Sequence, residues 1–387
     1  MTPHHPFTGL RVVELSSDSG GELVGKLFAD MGADVTKVEA PGGSASRKVG
    51  PFANGDVHPN ASLNFWFYNG NKSSVVLDPT ETKDWPAIDA LLENADFLIS
   101  SFQPANLKAA GLDFDAIGAR FPKLIIVSVT PFGLTGPWAD YKVSDLVALA
   151  AGGLLLLCGY DDHEIPPIKP GGDQAYHTAA SFAFTGALLA LIDRQKTGTG
   201  QLVDVSMHES TAVCIEMAFC FWAYQRALVA RQTCRHASPA LTQPSLIPCA
   251  DGRYLFFAHR VADPKAWNAL VDWLDSHGMA ADLIDPAYQD MAHRQENLFH
   301  IQDIVECFCL TVDADEAFES GQVRGMPLGI LNSPEDLLAN EHLKAREFFI
   351  ETEEDIGPVT YPGAPYRFSA FGPVPRRPAP KLEGVTK

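Results

Sequence analysis

Asp173 stands in the run Lys169-Pro-Gly-Gly-Asp-Gln-Ala-Tyr-His177, just before the most apolar helical stretch of the chain, residues 178–192. Glycines before it allow a sharp backbone turn and the close approach of a ligand. A helix that begins there offers unpaired N–H groups and a partial positive charge, which favour an ionised carboxylate. Two chemistries fit this placement. Asp173 is either an activated carboxylate nucleophile or a helix cap, since aspartate is a favoured cap residue. His177 follows one helical turn later and is within reach of Asp173 at i,i+4 spacing. Its alternative is an ordinary hydrogen-bonded histidine at a helix start.

Alternating strands and helices must position these residues. Strand-like runs fall at 10–15, 33–39, 74–77, 97–100, 124–129 and 201–206, with helical spacing at 22–31 and 85–94. A long loop separates the second and third runs. This alternation predicts an α/β fold: βαβ units with a parallel sheet covered by helices. Ligands in such sheets bind beyond the C-terminal strand ends, here residues 16–21, 40–43, 101–104 and 130–136. The helix from Asp173 ends at basic residues and glycines near Gly200, and another helix starts at Met207 and is expected to reach about Ala230. Composition shifts at 235–248, which is rich in Ser and Pro. The domains expected are 1–230, completed by 333–387, and a small α+β domain over 231–332. Two strand-like runs near Phe348 and Val359 precede a Pro-rich tail that reads as extended over a surface.

The chain has 387 residues, 46% hydrophobic and 20% charged, with a formal net charge of -19. That balance argues against nucleic acid or an anionic membrane as partner. An anionic ligand requires a local basic patch. The start of the chain does not read as a signal peptide, and the longest apolar helix falls short of a membrane span. Seven cysteines, without a paired zinc spacing, read as reduced thiols of a cytoplasmic protein. Residues 16–21 lack the dinucleotide pattern G-x-G-x-x-G, and Glu22 at the helix start would repel a pyrophosphate. Asp161-Asp-His-Glu164 has the composition of a metal cluster but reads as a solvated loop, so no metal is expected. His208-Glu209 opens a helix, where Glu209 suits the first turn. The aromatic run from Phe219 to Tyr224 lines an apolar site or, the preferred reading, belongs to the core.

Seven segments carry a family resemblance: Leu10-Arg-Val-Val-Glu-Leu15, residues 27–39, Asn69-Gly-Asn-Lys-Ser-Ser-Val-Val-Leu-Asp78, Pro131-Phe-Gly-Leu-Thr-Gly-Pro137, Gly171-Gly-Asp173, residues 196–207 and residues 362–369. In this order they resemble the class III CoA-transferases, the superfamily of formyl-CoA transferase, carnitine CoA-transferase and alpha-methylacyl-CoA racemase. The resemblance implies a Rossmann-like large domain, a small domain and an interlocked homodimer. It implies transfer of CoA from an acyl-CoA to a carboxylic acid, with Asp173 as nucleophile through an aspartyl anhydride and an aspartyl-CoA thioester. It places Ser17 and Ser19 on the loop facing the thioester, Ser101, Phe102 and Gln103 beside CoA, Leu77 at the adenine end, and Lys142 as a basic contact. Ala40, Ser100-Ser101 and the pair Lys108-Ala109 depart from the family pattern, so Lys108, Lys72 or Arg47 is expected to substitute as a CoA contact. No glycine-rich loop lies between His236 and Asp251, which disfavours formyl-CoA and oxalate. Two alternatives remain at this stage: an acyl-CoA racemase or epimerase, and a diverged non-catalytic CoA-binding homologue. The racemase would need a histidine where Val143-Ser144-Asp145 stands.

Overall fold

A computed structural model describes residues 5–16, 18–109, 113–257 and 263–382. Six strands form one parallel sheet: β1 Arg11–Leu15, β2 Asp34–Glu39, β3 Ser73–Val76, β4 Phe97–Ser100, β5 Ile125–Thr130 and β6 Leu202–Ser206. Their order is β3-β2-β1-β4-β5-β6. Register is parallel throughout, with Val12 opposite both Val35 and Phe97. The order reverses between β1 and β4, which makes their C-terminal ends the topological switch point.

The two faces follow from the period of the strands. Val13 and Leu15 of β1 point to a core shared with Ile88 and Leu92 of α3 (Trp85–Leu92) and Phe114 and Ile117 of α5 (Phe114–Arg120). Leu107 of α4 (Pro104–Ala109) joins the same cluster. Glu14 points the other way, under α1 (Ser19–Ala29). On that face Phe28 packs edge-on against Phe184 and, with a tilted ring, against Phe97.

The helix α7 (Gln174–Thr197) runs 24 residues and presents Ala179, Ala183, Ala187 and Ala190 as a fully buried row. The expectation that this helix falls short of a membrane span is corrected: by length and composition α7 could cross one, and its alanine row packs on α1, β5 and β6. Its opposite side leaves Phe182, Leu189 and Ile192 exposed at 45%, 63% and 51%.

Two segments differ from expectation. The loop after β2 contains α2 (Leu63–Asn69), capped by the Ser62 hydroxyl, which accepts from Phe65 N at 3.1 Å. Its aromatic run has strand-like propensity, so periodicity concealed it. The helix expected from Met207 to about Ala230 breaks up instead. It gives short helices at Met207–Val213 and Glu216–Cys220, then a π turn at Phe221–Gln225 that ends at Arg226 with φ 54. No side chain from Glu216 to Gln225 is buried, so no packed face enforces α geometry. Phe219, Trp222 and Tyr224 are accordingly exposed at 55%, 49% and 88%, rather than in the core.

The chain divides into two compact units. The first comprises Met1–Leu154, Lys169–Glu216 and Glu341–Lys387, and the second Leu155–Ile168 and Met217–Asn340. The second has its own core around Trp267, Trp273, Phe257 and Phe308. The amphipathic helix Pro264–Asp275, capped by Asp263, supplies the two tryptophans. A three-stranded antiparallel sheet of Leu246–Pro248, Tyr254–Phe257 and Leu328–Ile330 completes it. In the first unit, Phe349–Glu354 and Gly357–Pro362 form an antiparallel hairpin. The Pro-rich tail then runs extended, with Asn71 N donating to Arg377 O at 3.1 Å and Arg377 N to Asn71 Oδ1 at 2.6 Å.

Candidate active site

A cavity of about 530 Å³ opens at the switch point, within the size range of small-molecule sites. Leu15, Ser16 and Asp18 line it from the end of β1, and Ser101, Phe102 and Gln103 from the end of β4. Glu39, Ala40 and residues 43–45 follow β2; Asp78, Pro79 and Thr80 follow β3; Val129 and Pro131 belong to the end of β5. Lys142 is the one lysine or arginine lining it among the described residues. It is exposed, a position where a lysine can act as a point charge.

Asp173 does not line this cavity but lies beside residues that do. Ser19, the first residue of α1, donates its hydroxyl to Asp173 Oδ2 at 2.9 Å. Asp18 and Tyr176, the neighbours of these two residues, both line the cavity. The helix-cap expectation for Asp173 is overturned. Its backbone is at φ -100 and ψ 66, and its side chain accepts from no amide of α7. Asp145 takes that role from α6 (Asp145–Ala151): its Oδ1 accepts from Ala175 N at 2.8 Å. Lys169 pairs with the other Asp145 oxygen at 2.8 Å. With the cap supplied by another helix, the Asp173 carboxylate is free to face Ser19.

His177 donates its backbone N–H to Asp173 O at 2.9 Å, while its ring meets Tyr68 Oη through Nε2 at 2.6 Å. The imidazole is thus engaged with α2 rather than with the Asp173 carboxylate. Burial pushes its pKa down, against the opposing pull of Asp173 and Asp145, so the neutral ring is favoured. Burial and then the nearby Asp18, Asp173 and Asp145 push the Tyr176 phenol up to about 12, which keeps it a hydrogen-bond donor.

Asp18 caps α1, accepting from Gly21 N at 3.0 Å. Burial pushes its carboxyl up to about 6, although hydrogen bonds from Ser101 and Gly21 oppose the shift. A folded pKa above the unfolded value means the native state holds the proton more tightly. The contribution of Asp18 to stability is then fully present below about pH 4 and is lost as pH rises through about 6. Asp18→Asn is expected to stabilise the fold above pH 6, on the order of 2 kcal/mol, and to make no difference near pH 4. Urea midpoints from pH 4 to 8 check this; a gap that is constant with pH contradicts it.

The other anticipated contacts separate. Ser101, Phe102, Gln103 and Lys142 line the cavity, and Gln103 Nε2 donates to Tyr141 O at 2.9 Å. Ser19 holds Asp173 instead of lining the cavity. Leu77 packs into the core beside Val13 and Leu98, and the three residues after it reach the cavity. Lys108 is exposed on α4 and lines nothing here. Ser17 lies outside the described residues.

The suggestion that Lys72 or Arg47 substitutes as a CoA contact is corrected. Both are buried in ion pairs, Lys72 with Glu14 at 2.7 Å and Arg47 with Glu39 at 2.7 Å. A buried, paired cation has no free charge to give a phosphate. Ser144 caps α6, accepting from Val147 N at 3.4 Å. Asp161 pairs with Arg235 at 2.9 Å and His163 Nε2 meets Arg231 O at 3.1 Å. Spacing did not reveal Asp145, Tyr68, Tyr176 or the turn at Asp78. Each acts on an element distant in sequence, and only Asp18, inside the first glycine-rich turn, carried a local signal.

The sequence profile of CoA-transferase family III matches residues 7–386. The BbsE subunit of succinyl-CoA:(R)-benzylsuccinate CoA-transferase from Thauera aromatica is 33% identical, covering 98% of this chain and 92% of its own. Succinyl-CoA–D-citramalate CoA-transferase of Chloroflexus aurantiacus is 28% identical over 95% of this chain and 89% of its own. The crystal structure of a CAIB/BAIF family protein from Brucella suis superimposes with a TM-score of 0.83 at 26% identity, covering 98% of this chain and 96% of that one. The chain belongs to CoA-transferase family III and is a CoA-transferase.

Proposed function

We propose that the chain moves CoA from an acyl-CoA donor to a carboxylic acid through covalent intermediates on Asp173. The observation that carries this reading is the Asp173 carboxylate, released from capping and held by Ser19 next to the switch-point cavity. Asp173 attacks the thioester carbonyl; the C–S bond breaks, giving an aspartyl mixed anhydride and CoA thiolate. The thiolate attacks the aspartyl carbonyl, giving an aspartyl-CoA thioester and releasing the donor carboxylate. The acceptor carboxylate then runs the two steps in reverse. One exchange is split into easier steps, and the thioester bond is conserved. Water must be kept from the anhydride.

CoA occupies the cavity of the first unit in this reading, with Lys142 meeting a phosphate and Ser101, Phe102 and Gln103 lining the arm that leads toward Asp173. Residues 231–332 serve as the small domain. The role of Ser144 as a cap, without a histidine at that place, supports transfer over proton abstraction. Relatives whose names include succinyl-CoA make succinyl-CoA the first donor to test. The exposed apolar side of α7 supports an interlocked homodimer that covers it. The seven free cysteines fit a reducing cytoplasm.

The experiment is incubation with a panel of acyl-CoA donors, starting from succinyl-CoA, followed by mass spectrometry of the Asp173 peptide. A CoA adduct on that peptide, removed by an acceptor acid, is the expected result. Exchange without any adduct, or an adduct on another residue, refutes the assignment.

A further inference from the structure

Arg47 is one of the largest fully buried side chains among the described residues, and the proposed transfer steps make no use of its charge. It grips Glu39 through Nε and Nη2, both at 2.7 Å, and lies over the Phe65 ring at 3.7 Å. Glu39 ends β2 and lines the cavity; its carboxylate also accepts from Ser44 N at 2.9 Å, closing the loop of residues 40–44. A two-pronged arginine–carboxylate pair fixes orientation as well as distance.

The far side of Arg47 is held by the end of the chain. Nη2 donates to Pro380 O at 2.9 Å, and Nη1 to Asn60 Oδ1 at 3.1 Å. The same Asn60 oxygen accepts from Leu382 N at 2.7 Å. Leu382 is 4% exposed although it lies near the C-terminus. It packs directly beneath the cavity wall. Gly43, at φ +81, sits so close that a Cβ there would stand 2.6 Å from Arg47 Cδ and 3.0 Å from Leu382 Cδ2. The wall of residues 40–45 therefore rests on a base of Arg47, Asn60 and Leu382. Two of these are reached from β2 and its loop, and the third closes from more than 300 positions away.

We propose that the C-terminal strap is a positioning device for the acyl-CoA site: Leu382 and Arg47 hold the wall of residues 40–45 in its binding shape, so residues 380–382 set the affinity for acyl-CoA. This rests on the reading of the cavity as the CoA site. Loss of the strap loosens one wall of a site whose Asp173 and Ser19 stand elsewhere, so it acts on binding rather than on chemistry. Arg47 and Leu382 are positioning residues, not catalytic ones.

The test compares Leu382→Ala, Arg47→Lys and a chain ending at Ala379. Each is expected to raise KM for acyl-CoA about tenfold, with kcat and the acceptor KM little changed. Arg47→Lys keeps the charge but loses the two-pronged grip, so it shares the effect. A fall in melting temperature with no selective change in acyl-CoA KM reduces the strap to a stability element and overturns the proposal. Should the shortened chain fail to fold, the two point variants decide alone. Titration of CoA into Lys142→Ala and Ser101→Trp separates the two levels. If these lower CoA affinity and the strap variants do not, only the strap proposal falls. If neither set changes CoA affinity, the cavity reading falls, and the strap proposal with it.

Discussion

Asp173→Ala lowers kcat on the order of 10⁴-fold or more while acyl-CoA affinity stays close to that of the wild type. The size follows from covalent catalysis, where removing the nucleophile forfeits the whole route and not one contact within it. Retained affinity follows from geometry. Asp173 does not line the cavity, and the amide of α7 that it was expected to cap is satisfied by Asp145. The substitution therefore unpairs only the Ser19 hydroxyl, and the half-buried position leaves the fold intact. Calorimetric titration with acyl-CoA and steady-state exchange on the same preparation check both halves. A variant that keeps more than about 1% of the exchange rate contradicts the nucleophile; one that loses affinity in proportion to rate shows that Asp173 belongs to binding. Asp145→Asn offers a contrast. It keeps the cap acceptor but loses the charge that faces Lys169.

How much of this was legible beforehand depends on the range of the interactions. β1 and β4 lie within one residue of the sequence reading, because short buried apolar runs bounded by turn residues have few other solutions. The position of the cavity followed from the strand ends by the same logic. The resemblance indicated Ser101, Phe102, Gln103 and Lys142, all of which line it. Side-chain pairings across elements were not legible. Arg47 and Lys72 looked like spare cations because their carboxylates come from β1 and β2. Asp145 looked like part of a vacant catalytic position because the helix it caps starts 29 residues later. The net charge of -19 demanded a local basic patch for a polyanionic ligand. With Arg47 and Lys72 paired to carboxylates, Lys142 remains as the lining cation among the described residues.

Lys37→Met is expected to cost about 3–5 kcal/mol of unfolding free energy, because it breaks a buried ion cluster from one side. Lys37 is fully buried and reaches Glu14 Oε1 and Glu22 Oε1, both at 2.9 Å, and Ser16 O at 2.6 Å. Burial pushes the Glu14 carboxyl up, yet Lys37 and Lys72 outweigh it and hold it below its usual range. Burial likewise opposes the Lys37 charge, and Glu14 and Glu22 overcome it. A depressed Glu14 contributes stability above its unfolded pKa, lost as pH falls through the lower folded value. A raised Lys37 contributes below its unfolded pKa, lost only as pH rises through the higher folded value. Near pH 7 both contributions are complete, so the substitution removes the full amount there. Methionine matches the shape of the lysine stem, which confines the loss to charge and hydrogen bonding. No compensating shift of α1 is open, since Gly25 is packed so tightly over Glu14 that even a Cβ would overlap its carboxylate. Glu22, whose Oε2 already lacks a partner, becomes the costliest group left behind. Adding Glu22→Leu should therefore recover part of the loss, a coupling that a double-mutant cycle measures. The same lysine ties down Ser16 O at the start of the loop that carries Asp18 and Ser19. The Lys37→Met protein that still folds is then expected to transfer CoA more slowly, with Asp173 intact and its Ser19 partner displaced. Urea unfolding at pH 7 gives the first number and steady-state exchange the second. A loss under about 1 kcal/mol would show that water or neighbouring groups already screen the cluster.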